Sequence, residues 1–415
     1  MLRSCTRKRS PPVVVRRKLP SLWLVALFFL AFYCLPASRK DRIVSGQWLP
    51  DYDVGDVPRF LHHSPYRDAP DYEYERRVSD ALQELESSVL EEHGGDRSAT
   101  DRIWQIRLGK HLNQERGEDS LQFSEKNAEW QYTLVTDDQA NRFITTILPT
   151  IPGLKKLYDS YPYDVIRSDL LRYLLLWYFG GYYADMDVLP AKSIKQCSSL
   201  QPIFAGIDTN NANISLAVGI ELDEPHASPQ LMHDWHWIRT YGLIQYTFYA
   251  PQRFSPLLRE VIVRVPSHTR EHNKHSLPFL GPQYNEKTIL EVTGPGVFTD
   301  AILDALSDAL PTTHPLIETS VQSDKQIGDL ISQPSGASSR RLTWAPFHKI
   351  SEPTCVDSRE AAVGKSMGGV CVLPINVWGN GQRHSGAEDF RSRHACINHR
   401  FGGTWKKDWR HRHFG

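Results

Sequence analysis

The stretch DVIRSDLLRYLLLWYFGGYYADMDVLP, residues 164–190, indicates the fold more clearly than any other part of the chain. Its first half is apolar on nearly all sides, the pattern of a buried helix. Gly180-Gly181 then ends the helix, because glycine readily adopts the left-handed backbone angles of a helix C-cap. YYADMDV continues as a strand, so Asp185 and Asp187 lie at the end of a buried helix–turn–strand unit. An unpaired carboxylate there is costly, and the two residues need an explanation.

Helix and strand patterns alternate on both sides of this unit, which predicts an α/β domain with a mixed, mostly parallel central sheet. We place one catalytic domain at about residues 101–410. Helices are predicted at DDQANRFITTIL (137–148), PLLREVIVRV (256–265) and GVFTDAILDAL (296–306). Strands are predicted at RIWQI (102–106), QYTLVT (131–136), PIFAGI (202–207), ISLAVGIEL (214–222) and a final pair, GVCVLPINVWG (369–379) and HACINHRFGG (394–403).

The N-terminus has the pattern of a membrane anchor. Residues 1–18 form a basic tail without an acidic residue, and the charge-free run of residues 19–37 is close to the roughly 20 residues that cross a bilayer as a helix. A basic flank predicts a cytoplasmic N-terminus and a luminal body. A cleavable signal peptide is the alternative, but the run exceeds the usual apolar core of about 7–15 residues. Residues 38–100 are polar and read as a stem with one helix, RRVSDALQELESSVLEEH, at 76–93.

Global charge and cysteine content narrow the function further. The 48 basic residues balance 48 acidic ones, so no nucleic-acid partner is expected. Cys197, Cys355, Cys371 and Cys396 would be luminal, where disulfides form, and their spacing fits no zinc pattern. Of the three possible pairings, a bridge between Cys355 and Cys371 is favoured, although sequence alone does not decide. Asn213 begins an N-glycosylation sequon, which agrees with a luminal body.

Asp185 and Asp187 point to a divalent cation. Residues i and i+2 of a strand face the same side, so the two carboxylates converge and repel one another unless a cation lies beside them. Hard oxygen ligands suit Mg²⁺ or Mn²⁺. On the preceding helix, Asp169 and Arg172 lie roughly 60° apart, on a common face. They form either an intrahelical salt bridge or a joint contact with a polar ligand.

The block RSDLLRYLLLWYFGGYYADMDV, residues 167–188, resembles the DXD-containing sugar-binding region of glycosyltransferase family 32. Within that family the chain is most similar to fungal Golgi initiation-specific α-1,6-mannosyltransferases. The resemblance implies a GT-A-type nucleotide-sugar-binding fold and a single-pass type II Golgi membrane enzyme. It also implies metal-dependent, retaining transfer of mannose from GDP-mannose to N-linked glycans of glycoproteins, and other Golgi transferases as partners in a complex. Further segments agree: IWQI (103–106), EWQYTLVTDDQANRFI (129–144), VTGPGVFTDAI (292–302) and HSGAED…CINHRFGGTWK (384–406).

The resemblance also implies a metal site. Asp187 would ligate Mn²⁺ or Mg²⁺ bound to the donor diphosphate, and Asp185 would contact the donor's ribose and sugar and reach the metal directly or through water. His399 matches a C-terminal histidine that completes metal coordination in related retaining transferases, and imidazole suits Mn²⁺. Lys406 would neutralise the diphosphate. TGPG at 293–296 is expected to shape a turn near the acceptor side.

The donor sugar and nucleotide would be held by residues of the helix and first strands. By the same resemblance Asp169 accepts hydrogen bonds from sugar hydroxyls, and Arg172 steadies the donor sugar and Asp185. Ser168 and Tyr183 would line the nucleotide-sugar site. Trp104 is either a stacking platform for the nucleobase or an ordinary core tryptophan.

Three alternatives to a glycoprotein mannosyltransferase remain. An inositol phosphoceramide mannosyltransferase of sphingolipid synthesis is disfavoured because such relatives usually carry further hydrophobic segments after the catalytic domain, and the basic tail KKDWRHRHFG carries none. A catalytically silent subunit of a Golgi mannosyltransferase complex is disfavoured by the intact acidic residues. A glycoside hydrolase would place its two carboxyls on either side of the scissile bond, not two residues apart on one strand.

Overall fold

The computed structural model describes residues 64–109, 116–208, 213–274, 281–323 and 342–402. These residues all fall within one compact unit, Val54–Gly415. The predicted anchor at 19–37, the basic tail before it and Lys406 lie outside the described residues. Within the described ranges, every helix is too short or too polar to span a bilayer.

The strands follow the sequence pattern closely at β1 and β2, the two parallel strands predicted first along the chain. All strands of the described residues are β1 (Arg102–Ile106), β2 (Gln131–Val135), β3 (Gly181–Ala184), β4 (Val188–Pro190), β5 (Ile214–Asp223), β6 (Tyr241–Leu243), β7 (Thr247–Ala250), β8 (Thr354–Val356), β9 (Gly369–Leu373) and β10 (Ile397–His399).

The helices cover the sheet and carry most of the hydrophobic core. In the described residues they are α1 (Tyr72–Glu92), α2 (Glu118–Lys126), α3 (Asp137–Arg142, continued by a π turn at Phe143–Ile147), α4 (Leu154–Ser160), α5 (Asp164–Phe179), α6 (Gln201–Asp208), α7 (Pro229–Asp234), α8 (Pro256–Lys274), α9 (Glu286–Val292), α10 (Pro295–Ala309), α11 (Pro315–Ser323) and α12 (Ile375–Trp378).

The central sheet is mixed, as predicted, but it is not mostly parallel. Its strand order is β2-β1-β3-β7-β5-β9-β8, with β6 paired to β5. The β1/β2, β1/β3 and β5/β9 pairs are parallel, whereas β3/β7, β5/β7, β5/β6 and β8/β9 are antiparallel. The expectation of a mostly parallel sheet is wrong because β6 and β7 return along β5 without the long crossover that parallel neighbours need.

Strand direction gathers the chemistry at one edge of the sheet. Strands β3 and β5 both run antiparallel to β7 and therefore run in the same direction. Strands β1 and β2 run with β3, and β9 runs with β5. The carboxyl ends of all five strands consequently meet at one edge, the place where ligands bind in open α/β sheets.

Helix α5 and the two glycines after it are confirmed as the centre of the fold. Ten of its sixteen residues are buried, and the Tyr173 ring stacks on Phe298 of α10 at 5.4 Å between centroids. Gly180 and Gly181 have φ values of 67° and 96°. A Cβ on Gly181 would lie 2.6 Å from the carbonyl oxygen of Arg102. Only glycine therefore fits between α5 and β3, where the chain reverses against β1.

Two strand predictions are wrong. PIFAGI lies in helix α6, and the second half of GVCVLPINVWG forms the short helix α12. Short apolar runs do not distinguish a buried strand from a buried helix, which explains both errors. The predicted final strand pair is also absent, because β9 pairs with β5 and β8 while β10 pairs with β4.

The helix assigned to the stem packs on the folded body. In α1, Val78 and Leu82 are 1% and 0% exposed, and Glu86 binds Arg97 and Arg259 of α8. The folded body therefore starts ahead of residue 101 in this structure.

The described residues contain two disulfides, one between neighbouring strands and one between segments that are far apart along the chain. Cys355 and Cys371 face each other in the β8/β9 pair, which is the favoured pairing of the sequence prediction. Cys197 and Cys396, 199 residues apart, form the second bridge. The second bridge ties the segment after β4 to the residue that precedes β10.

Candidate metal and donor site

Asp185 and Asp187 lie in the tight turn between β3 and β4 rather than within a strand. The predicted convergence of the two carboxylates is present, but the turn produces it instead of the strand alternation that predicted it. The β4/β10 pair places His399 directly opposite Val188. Potential ligand atoms of Asp185, Asp187 and His399 all lie within 4.8 Å of one another. We call these three residues the outer triad.

Asp187 is held from the C-terminal segment. Its Oδ1 lies 3.1 Å from Nε2 of His399, and its Oδ2 accepts a hydrogen bond from the Gly402 amide at 3.1 Å. Desolvation acts to raise the pKa of Asp187, but the hydrogen bond and charge of His399 outweigh it and hold the pKa below its usual value. Asp187 is therefore anionic at neutral pH and could offer a carboxylate oxygen to a cation.

Asp185 is anchored from behind by the sheet. Its amide donates to the Tyr246 carbonyl at 2.8 Å, and its carbonyl accepts from Nε2 of Gln105 at 2.9 Å. The Tyr183 hydroxyl donates to its Oδ1, which also lies 3.5 Å from Nη2 of Arg172. Burial raises the pKa of Asp185, and the Arg172 charge opposes that rise. The carboxylate is thus fixed in direction while 29% of its side chain stays exposed.

Asp169 and Arg172 form the intrahelical salt bridge that the sequence left open, and we call them the inner pair. Nη2 of Arg172 lies 2.8 Å from Oδ1 of Asp169, and their side chains are 5% and 1% exposed. Nη1 of Arg172 donates to the Gln245 carbonyl at 3.0 Å. Burial raises the pKa of Asp169 to about 7, although the Arg172 charge acts in the opposite direction. Because Arg172 also contacts Asp185, the inner pair supports the outer triad from beneath.

Thr293 connects the inner pair to the start of α10. Its hydroxyl donates to Oδ2 of Asp169 at 2.8 Å, and its carbonyl accepts from the Tyr173 hydroxyl at 2.8 Å. The TGPG segment forms the turn that begins α10, with Gly294 as N-cap and Pro295 in the first turn. This turn therefore positions Asp169, a contact that the sequence interpretation did not predict.

The outer triad fits a divalent cation. Neighbouring ligands about 2.1 Å from one ion lie about 3 Å apart, which matches the separation of the Asp187 and His399 atoms. Among the described residues, buried Nδ1 of His399 has no hydrogen-bond partner, while Tyr246 stacks on the imidazole at 4.1 Å. The two carboxylates and the imidazole form the mixed oxygen and nitrogen donor set that Mn²⁺ accepts.

The remaining predicted site residues differ in their burial and in the groups they contact. Trp104 is 3% exposed, donates its indole N–H to the Gly180 carbonyl at 2.9 Å and packs on Phe179. Of the two predicted roles for Trp104, this placement favours the core tryptophan over the nucleobase platform. Tyr183 is buried and acts through Asp185, and Ser168 is partly exposed one residue before Asp169.

Several residues at the site escaped the sequence interpretation because they are far away along the chain. Gln105 and Tyr246 hold Asp185, as described above. Burial raises the pKa of Glu221 of β5 to about 7, and the charges of His399 and Asp185 also act on its carboxyl. The one available signal for Glu221 was its position in an otherwise apolar strand, ISLAVGIEL.

Comparison with protein families confirms the resemblance. Residues 118–204, which contain the inner pair and both aspartates of the outer triad, match the family model of the glycosyltransferase sugar-binding region containing DXD motif. The match therefore covers the two aspartates of the outer triad and the inner pair, whereas His399 lies outside it.

Named relatives share most of the folded body. The chain is 26% identical to an initiation-specific alpha-1,6-mannosyltransferase of Candida albicans over 69% of this chain and 66% of the relative. It is 23% identical to the Saccharomyces cerevisiae protein of that name over 68% of this chain and 71% of the relative. A shorter region, 14% of this chain and 16% of the relative, is 42% identical to inositol phosphoceramide mannosyltransferase 3 of Schizosaccharomyces pombe. These matches bear out the predicted enzyme class, a hexosyltransferase.

Proposed function

Starting from this family match, we propose that the chain is a metal-dependent, retaining mannosyltransferase of the GT-A type. It transfers mannose, in α-1,6 linkage, from GDP-mannose to N-linked glycans of glycoproteins. The observation that carries the proposal is the convergence of Asp185, Asp187 and His399 above the buried inner pair. Both aspartates and the inner pair lie within residues 118–204, the segment that matches the sugar-binding family. We further propose that residues 19–37 anchor the enzyme in the Golgi membrane with its body in the lumen.

Each residue of the site has a separate role in binding the donor. Asp187, Asp185 and His399 would hold Mn²⁺ or Mg²⁺, which when bound stabilises the negative charge of the departing diphosphate as a Lewis acid. Asp169 is 1% exposed and paired with Arg172, so it supports Asp185 from beneath instead of meeting a sugar hydroxyl directly. Arg172 fixes Asp185 and keeps a positive charge beneath the site. Lys406, which lies outside the described residues, would neutralise part of the diphosphate charge.

A second candidate function is mannosylation of inositol phosphoceramide. It is favoured by the short region of 42% identity to inositol phosphoceramide mannosyltransferase 3. The same donor chemistry serves both functions, so the acceptor alone separates them.

The test uses the full chain purified in detergent, with Mn²⁺ and a panel of nucleotide sugars. A mannose-terminated N-glycan and inositol phosphoceramide serve as alternative acceptors. We expect hydrolysis and transfer from GDP-mannose, with the N-glycan as acceptor, and loss of both on chelation. Transfer only to the lipid would replace the first function with the second. A folded chain that binds GDP but turns over no donor would indicate a silent subunit and refute the proposal.

A further inference from the structure

A group of aromatic rings, one exposed and two partly exposed, lies beyond the carboxyl end of β5. The Trp235 and Trp237 rings stack with 5.6 Å between centroids and 20° between planes. The His384 ring meets both edge-on, at 5.1 and 4.8 Å. Trp235 is 41% exposed. We call these three residues the aromatic platform; it takes no part in the donor site.

The aromatic platform is held rigidly. Ser385, next to His384, donates its amide to Oε1 of Glu224 and accepts a hydrogen bond from the Asp223 amide at 2.9 Å. Burial lowers the pKa of His384 to about 4, so its ring is neutral at physiological pH and packs as an aromatic surface. The platform is therefore preorganised, and a ligand would not have to order it.

Backbone strain marks the same place. His236, between the two tryptophans, and Ser385 have φ values of 58° and 59°. Left-handed φ angles are unfavourable for residues other than glycine and concentrate at binding and catalytic sites. The left-handed angles of His236 and Ser385 cost folding free energy, and the surrounding contacts hold the two segments of the platform in this arrangement.

The aromatic platform lies at the same sheet edge as the outer triad. Ser385 of the neighbouring segment bonds Asp223 and Glu224 at the end of β5, which attaches the aromatic platform to that end of the strand. Strand β5 is two positions from β3 in the sheet, roughly 10 Å at the usual spacing of strands. An oligosaccharide of a few sugar units can span that distance.

We propose that Trp235, Trp237 and His384 form a sugar-stacking subsite for the acceptor glycan. The inference rests on the proposed function, because it assigns the acceptor of that reaction to the aromatic platform. The C–H face of a pyranose is apolar and carries partial positive charge, which matches the negative face of an indole ring. Exposed polar side chains at the rim, Gln230, His233 and Asp234, can bond sugar hydroxyls.

The size and rim of the aromatic platform favour a sugar over a protein. A stable protein interface buries about 800 Å² per partner around an apolar centre. Here the exposed side chains of the helix before Trp235 include Gln230, His233 and Asp234, and Leu231 is its one large exposed apolar side chain. The outer triad offers two carboxylates and an imidazole, a donor set for a cation, and therefore does not supply this stacking contact.

Acceptor kinetics test the subsite. In Trp235→Ala and Trp237→Ala we expect the KM for a mannose oligosaccharide to rise about tenfold. The KM for GDP-mannose and the rate of donor hydrolysis by water should stay at wild-type values. Trp235→Phe, which keeps a flat ring, should retain most of the acceptor affinity. Tyr72→Ala, which removes an exposed ring from α1, is the matched control and should change neither KM.

Direct binding separates this proposal from the proposed function. With no donor present, mannose oligosaccharide should shift the indole N–H resonances of Trp235 and Trp237 in the ¹⁵N-tryptophan-labelled wild-type chain. That shift in a chain without transferase activity would support the subsite while the proposed reaction fails. Unchanged resonances, or unchanged acceptor KM in Trp235→Ala and Trp237→Ala of an active enzyme, would overturn the subsite alone. Binding of a protein partner at the platform without any oligosaccharide response would likewise overturn it.

Discussion

The inner pair and the outer triad both contain aspartates, but those aspartates differ in burial and in the groups that contact them. Asp169 and Arg172 are buried and contacted by Thr293 and the Gln245 carbonyl. Asp187 and Asp185 keep 32% and 29% of their side chains exposed. The charges of the inner pair are paired within the protein and stabilise the fold, whereas the partly exposed carboxylates of the outer triad are available to a ligand. Arg172 contacts both Asp169 and Asp185, so it links the structural role of the inner pair to ligand binding at the outer triad.

The largest expected effect is the loss of activity in Asp187→Ala. Removing an anionic ligand from the outer triad should lower transfer by about a thousandfold or more. The free energy of unfolding should change by less than about 1 kcal/mol, because the side chain is partly exposed. Initial rates and urea denaturation measure the two effects. Asp389→Ala, an exposed aspartate in the C-terminal segment, is the matched control and should keep full activity.

Arg172→Met should damage stability and activity together. Breaking the inner pair leaves the Asp169 charge buried without its partner, which costs about 3–5 kcal/mol of unfolding free energy. Urea denaturation measures the loss. Adding Asp169→Asn to Arg172→Met removes the buried charge and should recover part of the stability but none of the transfer. A single variant as stable as the wild type would show that the inner pair carries no structural role.

The disulfides offer a comparison between a bridge at the site and one away from it. Cys197–Cys396 fixes the residue before β10, which carries His399, whereas Cys355–Cys371 joins β8 to β9. We expect Cys197→Ala with Cys396→Ala to weaken the apparent Mn²⁺ affinity about tenfold, because a ligand's support is lost. Cys355→Ala with Cys371→Ala should leave that affinity unchanged. Equal effects of the two double variants on Mn²⁺-dependent rates would argue against a specific role for the first bridge.

Thr293→Val should have the smallest effect. It keeps the shape of the side chain but removes one hydrogen bond to Asp169, worth about 1 kcal/mol, so transfer should fall about fivefold. Thr293→Ser keeps the hydroxyl and should restore most of the rate. Steady-state kinetics of the two variants decide whether the α10 turn acts through Asp169.

Local pattern predicted the centre of the fold but not the contacts around it. The apolar run of α5 and the need for glycine at 180 and 181 are properties of adjacent residues, and both predictions are confirmed. Asp185 and Asp187 converge as predicted, although a turn rather than a strand brings them together. Gln105, Thr293 and Tyr246 were missed because they reach the site from elsewhere in the chain. No periodicity within one segment reports which distant segment packs against it.

Local sequence patterns also predicted the fold class without predicting the direction of every strand. Alternating helices and strands predicted an α/β domain, which the structure confirms, but the direction of β7 depends on a return connection with no sequence signal. The choice of Cys197 and Cys396 as partners likewise depends on the β4/β10 pairing. The role of His399 came from family resemblance, and its residue type alone would not have singled it out.

Mn²⁺ binding measured by electron paramagnetic resonance tests the central claim most directly. The full chain is titrated with Mn²⁺ in the presence of GDP, for the wild type, His399→Ala and His394→Ala. His394 is an exposed histidine of the same segment and serves as the control. The account predicts one bound ion in the wild type and the control, and an affinity at least about tenfold weaker in His399→Ala. Equal affinity in all three proteins would contradict the assignment of the outer triad as a metal site.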